Sequence, residues 1–235
     1  MLLLAIDTST PVVSVAIGSG RSILAEVCLG RAPGAPQRHA EQLAPAIQYL
    51  CQETGIRLSR LAGVAVGIGP GLFTGLRVGV TTAKVMAQSL GVPVVGMPSL
   101  DLVAFPLRHA NRLIAAVLDA RRKEVFYALY EPVPGGIQRV SEYEVGVPGA
   151  LLAELIARGE DVLVAGDGAG LLGEELEHLQ HVELAGAELG RPSVAALIEL
   201  AYSRFEREEF VAPFALNPLY LRKSDAEIAW EFQAR

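Results

Sequence analysis

The stretch Gly67-Ile68-Gly69-Pro70-Gly71-Leu72-Phe73-Thr74-Gly75-Leu76-Arg77-Val78-Gly79 joins an apolar run typical of a buried strand to an apolar run typical of a helix. Glycine admits positive φ and lets a second backbone or a phosphate come close, and a proline prevents a helix from running through the turn. The spacing matches neither the dinucleotide-binding G-x-G-x-x-G motif nor a Walker A loop, which ends in Lys and Ser or Thr. A packing turn is therefore favoured over a phosphate cradle. Its structural residues are Gly69, Pro70, Gly71 and Gly75.

Strand and helix patterns alternate on both sides of this turn. The predicted elements are strands at 2–7, 11–18, 21–29, 62–68 and 94–95 and helices at 37–54 and 73–90. The first helix ends at Gly55. Its expected core stripe consists of Ala40, Leu43, Ala44, Ile47, Leu50 and Cys51. Such alternation is typical of an α/β layer architecture.

The second half of the chain resembles the opening. Leu3–Asp7 aligns without a gap with Ala115–Asp119, and in both places an apolar strand ends in Asp and turns into another strand. This repeat predicts one lobe over residues 1–99 and a second over 100–235. A chance likeness of two short apolar strands stays open, because repeats are usually recognised over longer stretches.

The second lobe contains further patterns of the same kind. A strand and turn are expected at 162–168, a helix at 193–208 and an extended piece at 217–222. Ser224 and Glu227 have the spacing of a capping box for a last helix that carries Trp230 and Phe232. We expect the terminal segment 217–235 to pack back across the lobes, because exposed aromatic residues at a free end are unfavourable.

Composition excludes several classes of protein. The 235 residues are 51% apolar and have a formal net charge of -6, without a basic stripe of the kind that a stand-alone nucleic-acid binder uses. Two cysteines cannot form a disulfide framework or a zinc site. The apolar start is too short for a signal peptide and no run is long enough to span a membrane, so a cytoplasmic location is expected.

Each lobe opens with a strand, an Asp and a turn, which is typical of the actin-like ATPase architecture, where paired turns hold the phosphates of a nucleotide. Asp7-Thr8-Ser9-Thr10 offers hydroxyl and N–H groups to a phosphate or its metal ion. Asp119, in contrast, is followed by Ala120-Arg121-Arg122-Lys123, whose side chains fill the space that a phosphate needs. An impaired or absent nucleotide site is favoured, although arginines also bind phosphate.

Four segments together resemble the bacterial TsaB family, and the resemblance covers the whole chain. They are the Asp7-Thr8-Ser9 opening, residues 69–79, residues 119–125 and Pro218-Leu219-Tyr220-Leu221-Arg222. The resemblance implies an actin-like (ribonuclease H-like) fold with two tandem α/β lobes. Leu72 departs from the family pattern, which usually has Ser after Gly-Pro-Gly.

The resemblance also implies a role. Members of the family are non-catalytic partners of a TsaD-like subunit that makes N6-threonylcarbamoyladenosine beside the anticodon of tRNA, and a separate TsaE-like ATPase resets the complex. It implies that this chain is a homodimer when alone, contacts tRNA only through the complex and has no cofactor of its own, with ATP and metal in the partner subunits. Asp7, Thr8, Ser9 and Asp119 would then be a vestigial phosphate turn.

No catalytic residue or metal site is expected in this chain. The catalytic sister family has a pair of metal-binding histidines after the glycine turn, whereas the corresponding residues 98–105 contain no histidine, and Asp101 alone is insufficient. His39 and Glu41 are interpreted as part of a solvated helix face, because residues two apart on a helix point in different directions. An active nucleotide-dependent phosphotransferase is the alternative. A peptidase has less support, since no G-x-S-x-G motif is present.

The helix at 73–90 has two apolar stripes. Leu76, Val80, Ala83, Ala87 and Leu90 form the first, and Val78, Thr82, Val85 and Ser89 form the second. On the preceding helix, Ala46 and Tyr49 lie on the shoulder beside its core stripe and add further spare apolar surface. The first stripe is expected to pack on the sheet. The second would be buried either between the lobes or in a partner interface made of four helices. The resemblance favours the interface.

Overall fold

The structure is a computed structural model that describes residues 1–30, 32 and 34–222 and contains two β-sheets flanked by helices. The strands of the first sheet are β1 (Leu3–Asp7), β2 (Val13–Ser19), β3 (Ser22–Leu29), β4 (Gly63–Gly69) and β5 (Val94–Pro98), in the order β3-β2-β1-β4-β5. Those of the second are β6 (Leu113–Arg121), β7 (Glu124–Val133), β8 (Gly136–Arg139), β9 (Glu144–Gly146), β10 (Val162–Ala165) and β11 (Val182–Leu184). Their order is β11-β10-β6-β7-β8, with β9 paired to β7.

Five α-helices are described: α1 (His39–Thr54), α2 (Phe73–Leu90), α3 (Ser99–Ala104), α4 (Pro148–Arg158) and α5 (Val194–Glu206). Short 3₁₀ turns lie at Leu58–Arg60, Phe105–Leu107, Ala169–His178, Ala187–Leu189 and Pro213–Ala215. Gly55 and Gly91 end α1 and α2 in the left-handed conformation, which glycine adopts without strain. The predicted ends of both helices are thereby confirmed.

The two sheets have the same topology. In the first, β1 pairs antiparallel with β2 and parallel with β4, and in the second β6 pairs antiparallel with β7 and parallel with β10. The outer strands continue the correspondence, because β2–β3 and β7–β8 are antiparallel while β4–β5 and β10–β11 are parallel. The internal repeat is therefore confirmed, and chance likeness is excluded.

Alternation along β1 distributes its side chains over two cores. Leu4 and Ile6 face the layer of α1 and α2, whereas Leu3 and Ala5 face α5 on the other side of the sheet. The short helix α3 joins the lobes: Leu102 packs in the core of α5, while its neighbour Val103 packs against the second sheet. The lobes thus share a continuous apolar contact through α3.

The chain returns to the first lobe after the second sheet. Helix α5 packs on β1, β2, β4 and β5, although its residues belong to the predicted second lobe. Beyond it, Leu216 enters the core of α1 and α2, and the Leu219 N–H donates to the carbonyl of Ile68 at 2.7 Å. The division at residue 99 stays a prediction. The expected last helix with Trp230 and Phe232 lies outside the described residues.

Candidate functional site

The turn after β1 is occupied by the protein itself. The Asp7 carboxylate is buried; its Oδ1 accepts hydrogen bonds from the Ser9 N–H at 3.0 Å and the Ser9 hydroxyl at 2.7 Å, and its Oδ2 accepts from the Ser99 hydroxyl at 3.0 Å. Ser99 in turn accepts from the Gly69 N–H at 3.2 Å. Burial raises the pKa of Asp7 to about 6, against the lowering effect of these hydrogen bonds. Both carboxylate oxygens are therefore engaged within the first lobe.

The glycines of the Gly67–Gly79 stretch face this turn. A Cβ on Gly67 would collide with the Asp7 carboxylate, one on Gly71 with the Ser9 carbonyl, and one on Gly75 with the Thr8 carbonyl. Two hydrogen bonds close the contact: the Thr8 hydroxyl donates to the Gly75 carbonyl at 2.7 Å, and the Leu72 N–H donates to the Ser9 carbonyl at 2.7 Å. The backbone that approaches these glycines is the Asp7 turn, so the stretch is a packing turn.

The same contact determines whether a metal-bound nucleotide fits. In an actin-like enzyme the phosphates and their metal ion would lie against the turn that follows β1. Here the carboxylate, the hydroxyls and the first turn of α2 are bonded to one another, and Asp7, Thr8 and Ser9 are all buried. The residues present do not fit that group. The assignment of Asp7, Thr8, Ser9 and Asp119 as a vestigial phosphate turn stays a prediction.

His39 differs from its sequence interpretation as part of a solvated face. The ring is only 4% exposed, and Nε2 lies 2.8 Å from the carbonyl oxygen of Thr10. A Cβ on Gly75 would lie 3.3 Å from the ring, so the imidazole packs under the start of α2. The interpretation was wrong for His39, because its ring lies against Gly75 at the start of α2, whereas Glu41 is exposed as predicted.

The corresponding turn of the second lobe is an arginine-bearing hairpin. Asp119 Oδ1 accepts from the Arg121 N–H at 2.7 Å, and Asp119 Oδ2 accepts from the Arg121 guanidinium at 2.9 Å. The Asp119 N–H donates to Asp167 at 3.0 Å. Burial raises the pKa of Asp167 to about 6. Sequence reasoning missed this partner of Asp119, although the strand and turn predicted at 162–168 contain Asp167.

A cleft of about 650 Å³ lies between the start of α2 and the turn that follows β6. The start of α2 and Gln37 and His39 line it from the first lobe, and the Ala120–Arg122 turn and Phe126 line it from the second. The segment 219–222 closes the remaining side. That segment is held at both ends, by the Leu219–Ile68 backbone bond and by an ion pair of 2.7 Å between Arg222 and Glu124. The sequence offered no signal for this pairing.

The predicted partner residues of α1 fall into two groups. Tyr49 is 52% exposed, whereas Ala46 is 3% exposed and packs in the core with Leu43 and Ile47. Ala46 is therefore corrected to a core residue. Ala40 and Ala44, expected in the core, are exposed, because the buried stripe begins at His39 and continues through Leu43, Ala46, Ile47 and Leu50. The stripe is rotated toward His39 and Ala46, while Leu43, Ile47 and Leu50 belong to both the predicted and the observed stripe.

On α2 the first stripe is confirmed as core and the second is graded in exposure. Leu76, Val80, Ala83 and Ala87 are buried, and Leu90 is half-buried. Val85 is 57% exposed and Ser89 is also exposed, whereas Thr82 is half-buried and Val78 is partly covered by the core. The second stripe is therefore not covered by the other lobe at Val85. Whether a partner covers it stays a prediction.

Few charges interrupt this exposed face. Helix α1 carries none from Ala44 to Gln52, and between Thr81 and Ser89 on α2 the one charged residue is Lys84. The Lys84 ammonium donates to the carbonyls of Phe214 and Leu216, at 3.4 and 3.0 Å, and is thereby held beside the face. Depletion of charge around exposed apolar residues is typical of the centre of protein interfaces.

Comparison with known proteins assigns the chain to a family. The model of the TsaD family, tRNA N6-adenosine threonylcarbamoyltransferase, matches residues 23–230. The tRNA threonylcarbamoyladenosine biosynthesis protein TsaB of Bacillus subtilis is 30% identical over 98% of this chain and 98% of its own length. The chain belongs to the TsaB family. The resemblance read from the four sequence segments is confirmed, because TsaB matches along both lobes.

Solved structures agree with this assignment. YeaZ from Pseudomonas aeruginosa is 28% identical, covers 94% of this chain and 99% of its own, and superposes with a TM-score of 0.76. EutJ from Carboxydothermus hydrogenoformans, at 11% identity and a TM-score of 0.50 over 86% of this chain and 89% of its own, shares only the fold. The predicted α/β, actin-like ATPase fold is confirmed for this TsaB-family chain.

Two observations bound the chemistry of the part of the chain that the structure describes. Within residues 1–30, 32 and 34–222, no three or more His, Cys, Asp or Glu side chains converge as metal ligands would. No helix among the same residues is long and apolar enough to cross a membrane.

Proposed function

We propose that this chain is a tRNA-modification subunit that pairs with a TsaD-like catalytic subunit and supports the synthesis of N6-threonylcarbamoyladenosine beside the anticodon. The observation that carries the proposal is full-length similarity to proteins named for threonylcarbamoyladenosine biosynthesis, in B. subtilis and, at 30% identity, in Escherichia coli. The match to the TsaD family model supports a partner of related fold. A lobe of this chain and the related lobe of such a partner would present comparable helices to each other.

The pairing surface is the exposed face of α1 and α2, centred on Tyr49 and Val85. Both side chains are more than half exposed, and the helices that carry them pack side by side. Two adjacent helices with small and apolar exposed residues form one half of a four-helix contact. The same face accounts for the homodimer that we expect when the partner is absent, since one apolar surface serves either association.

Catalysis, ATP and the metal ion belong to the partner subunits in this proposal. It is supported by the buried hydrogen bonds of Asp7 and by the contact of the glycine stretch with the Asp7 turn, which leave no room for a metal-bound phosphate. A TsaE-like ATPase joins the assembled pair, and tRNA is bound only by the complex. We place the complex in the cytoplasm, where tRNA is modified.

The test is association with the TsaD-like protein of the same organism, followed by light scattering after gel filtration. Val85→Asp and Tyr49→Asp would place an unpaired charge in a desolvated contact, so each should weaken association by several kcal/mol, that is, at least about a hundredfold. Each variant should keep the melting temperature of the parent chain, because the replaced side chain is exposed in the free subunit.

Ile156→Asp is the matched control. Ile156 lies on α4 in the second lobe and is 56% exposed, close to the 57% of Val85. This variant should pair as the parent chain does. A Val85→Asp variant that melts far lower yet still pairs would show that the second stripe belongs to the core and that the partner binds elsewhere.

A further inference from the structure

We propose that the cleft between the lobes binds the phosphate backbone of an RNA loop through Arg121 and Arg122, beside an aromatic wall formed by Phe73 and Tyr220. The choice of RNA rests on the function proposed above. The site itself rests on the geometry of the cleft. It would make this chain a direct contributor to tRNA binding within the complex.

The lining of the cleft is cationic in an acidic protein. Arg121, Arg122 and Arg222 line it, and no carboxylate does among the described residues. At the rim, Arg121 forms an ion pair with Asp119, and Arg222 forms one with Glu124. The Arg121 side chain is 49% exposed, so its ion pair is weak and a phosphate competes with it readily. A cluster of guanidinium groups at a concave surface is the arrangement that binds phosphate.

The backbone of the β6–β7 hairpin, which carries Arg121 and Arg122, is conformationally strained. Arg121, Arg122 and Lys123 have φ values of 62°, 55° and 62°, in the left-handed region that side chains other than glycine and asparagine rarely adopt. Three such residues in succession strain the turn. Glycine or asparagine would form the same hairpin without strain, so a binding role for the guanidinium groups accounts for arginine there.

An aromatic wall stands next to the arginines. The rings of Phe73 and Tyr220 lie 5.0 Å apart, and the Arg77 guanidinium lies 4.0 Å above the Phe73 ring. Tyr220 is 42% exposed. Unpaired bases of RNA loops stack on exposed rings and on guanidinium planes while their phosphates bind arginine, so the combination suits a loop better than a duplex.

A metal-bound nucleotide suits the same cleft less well. Its phosphates would need the Asp7 turn, where the Thr8 hydroxyl and the Asp7 carboxylate are already bonded within the protein. The arginines lie on the opposite wall and at the rim, and Lys123 on the same hairpin is exposed to solvent. The exposed cations of this hairpin are placed to contact the phosphate backbone of an RNA strand that passes over the cleft.

The experiment measures tRNA binding by the assembled complex at several salt concentrations. The double variant Arg121→Asn with Arg122→Asn removes both charges with a residue that tolerates left-handed φ. Its affinity for tRNA should fall on the order of tenfold, since each charged hydrogen bond is lost without replacement. The slope of log affinity against log salt should shrink by about 1.5, because two phosphate contacts no longer release counterions. The melting temperature should stay the same or rise, whereas a merely structural role of the arginines would lower it.

Two further variants separate the contributions. Tyr220→Leu should weaken binding at least about fivefold while leaving the salt slope unchanged, because stacking releases no counterions. Arg57→Asn with Arg60→Asn is the matched control: both arginines are exposed and precede β4, at the end of that strand opposite to the cleft. This control should bind tRNA as the parent complex does.

The outcomes distinguish this proposal from the one it rests on. Failure of the parent chain to pair with its TsaD-like partner would overturn both. Normal pairing with unchanged tRNA affinity and salt slope in the arginine variant would overturn the RNA contact alone. If the variant loses binding of free AMP while tRNA affinity is unchanged, the ligand is a nucleotide and the RNA assignment is overturned.

Discussion

Replacing Asp7 by asparagine tests the buried turn that follows β1. The Asp7 carboxylate is fully buried and accepts hydrogen bonds from the Ser9 N–H and the Ser9 and Ser99 hydroxyls. Burial nevertheless dominates and raises its pKa to about 6. Asp7→Asn keeps the shape of the side chain and removes the charge, so it isolates the free-energy cost of ionising this group in the folded state.

The folded and unfolded pKa values of Asp7 determine how its contribution to the free energy of unfolding changes with pH. The folded pKa of Asp7 lies above its unfolded value of 3.8, so the protonated form favours folding. That stability is fully present below pH 3.8 and is lost as the pH rises through about 6. The whole loss is about 3 kcal/mol, and about 1.4 kcal/mol of it falls between pH 5 and pH 7.5. The asparagine variant has no such loss.

Urea unfolding of the two chains at pH 5, 6, 7 and 7.5 gives the comparison. The unfolding free energy of Asp7→Asn minus that of the parent chain should increase by about 1.4 kcal/mol over this range. Asp167 titrates in the same window, but it is present in both chains and cancels. Asp161→Asn is the control, because Asp161 is exposed, and its difference should stay constant. A constant difference for Asp7→Asn would refute the reasoning.

Catalysis provides a second reading of the same variant. A complex assembled with Asp7→Asn should modify tRNA within a few-fold of the parent complex, because the carboxylate braces a turn in the proposed function. In an active actin-like enzyme, loss of this carboxylate would reduce the rate by orders of magnitude. Such a reduction in a fully assembled complex would show that this chain contributes a catalytic group.

Two further stability predictions use paired variants measured by urea unfolding. Gly75→Ala should lower the free energy of unfolding by about 3 kcal/mol or more, because the added Cβ collides with the Thr8 carbonyl. Its control is Gly149→Ala in the first turn of α4, where the added Cβ meets nothing within 4 Å. That variant should be neutral or gain up to about 1 kcal/mol. Equal effects of the two would show that the Asp7 turn yields easily. Asp119→Ala should lower the free energy of unfolding by about 1 to 2 kcal/mol, because the hydrogen bond from the Arg121 N–H is lost. Its control, Asp161→Ala, should stay within about 0.5 kcal/mol of the parent chain, because Asp161 is exposed. A neutral Asp119→Ala would show that this carboxylate does not stabilise the hairpin.

Local sequence determined the secondary-structure elements around the Gly67–Gly79 stretch. Helix α2 begins at Phe73 and ends at Leu90 as predicted, because Pro70 and the glycines prevent an earlier start and Gly91 provides the left-handed cap. The strand patterns were sufficient to reveal the duplicated lobe. Apolar period and turn residues act over a few positions, so these features are readable without the fold.

Only the tertiary structure decided what each of these elements touches. The glycines at 67, 71 and 75 are required because the Asp7 turn packs on them, and that turn is some sixty residues earlier in the chain. The burial of His39 and the rotation of the α1 stripe depend on how the helix lies beside α2. The contacts of α5 with the first sheet and of Asp167 with Asp119 also join distant parts of the chain. Such contacts depend on how whole elements pack, and a periodic pattern in one segment carries no information about the partner that will cover it.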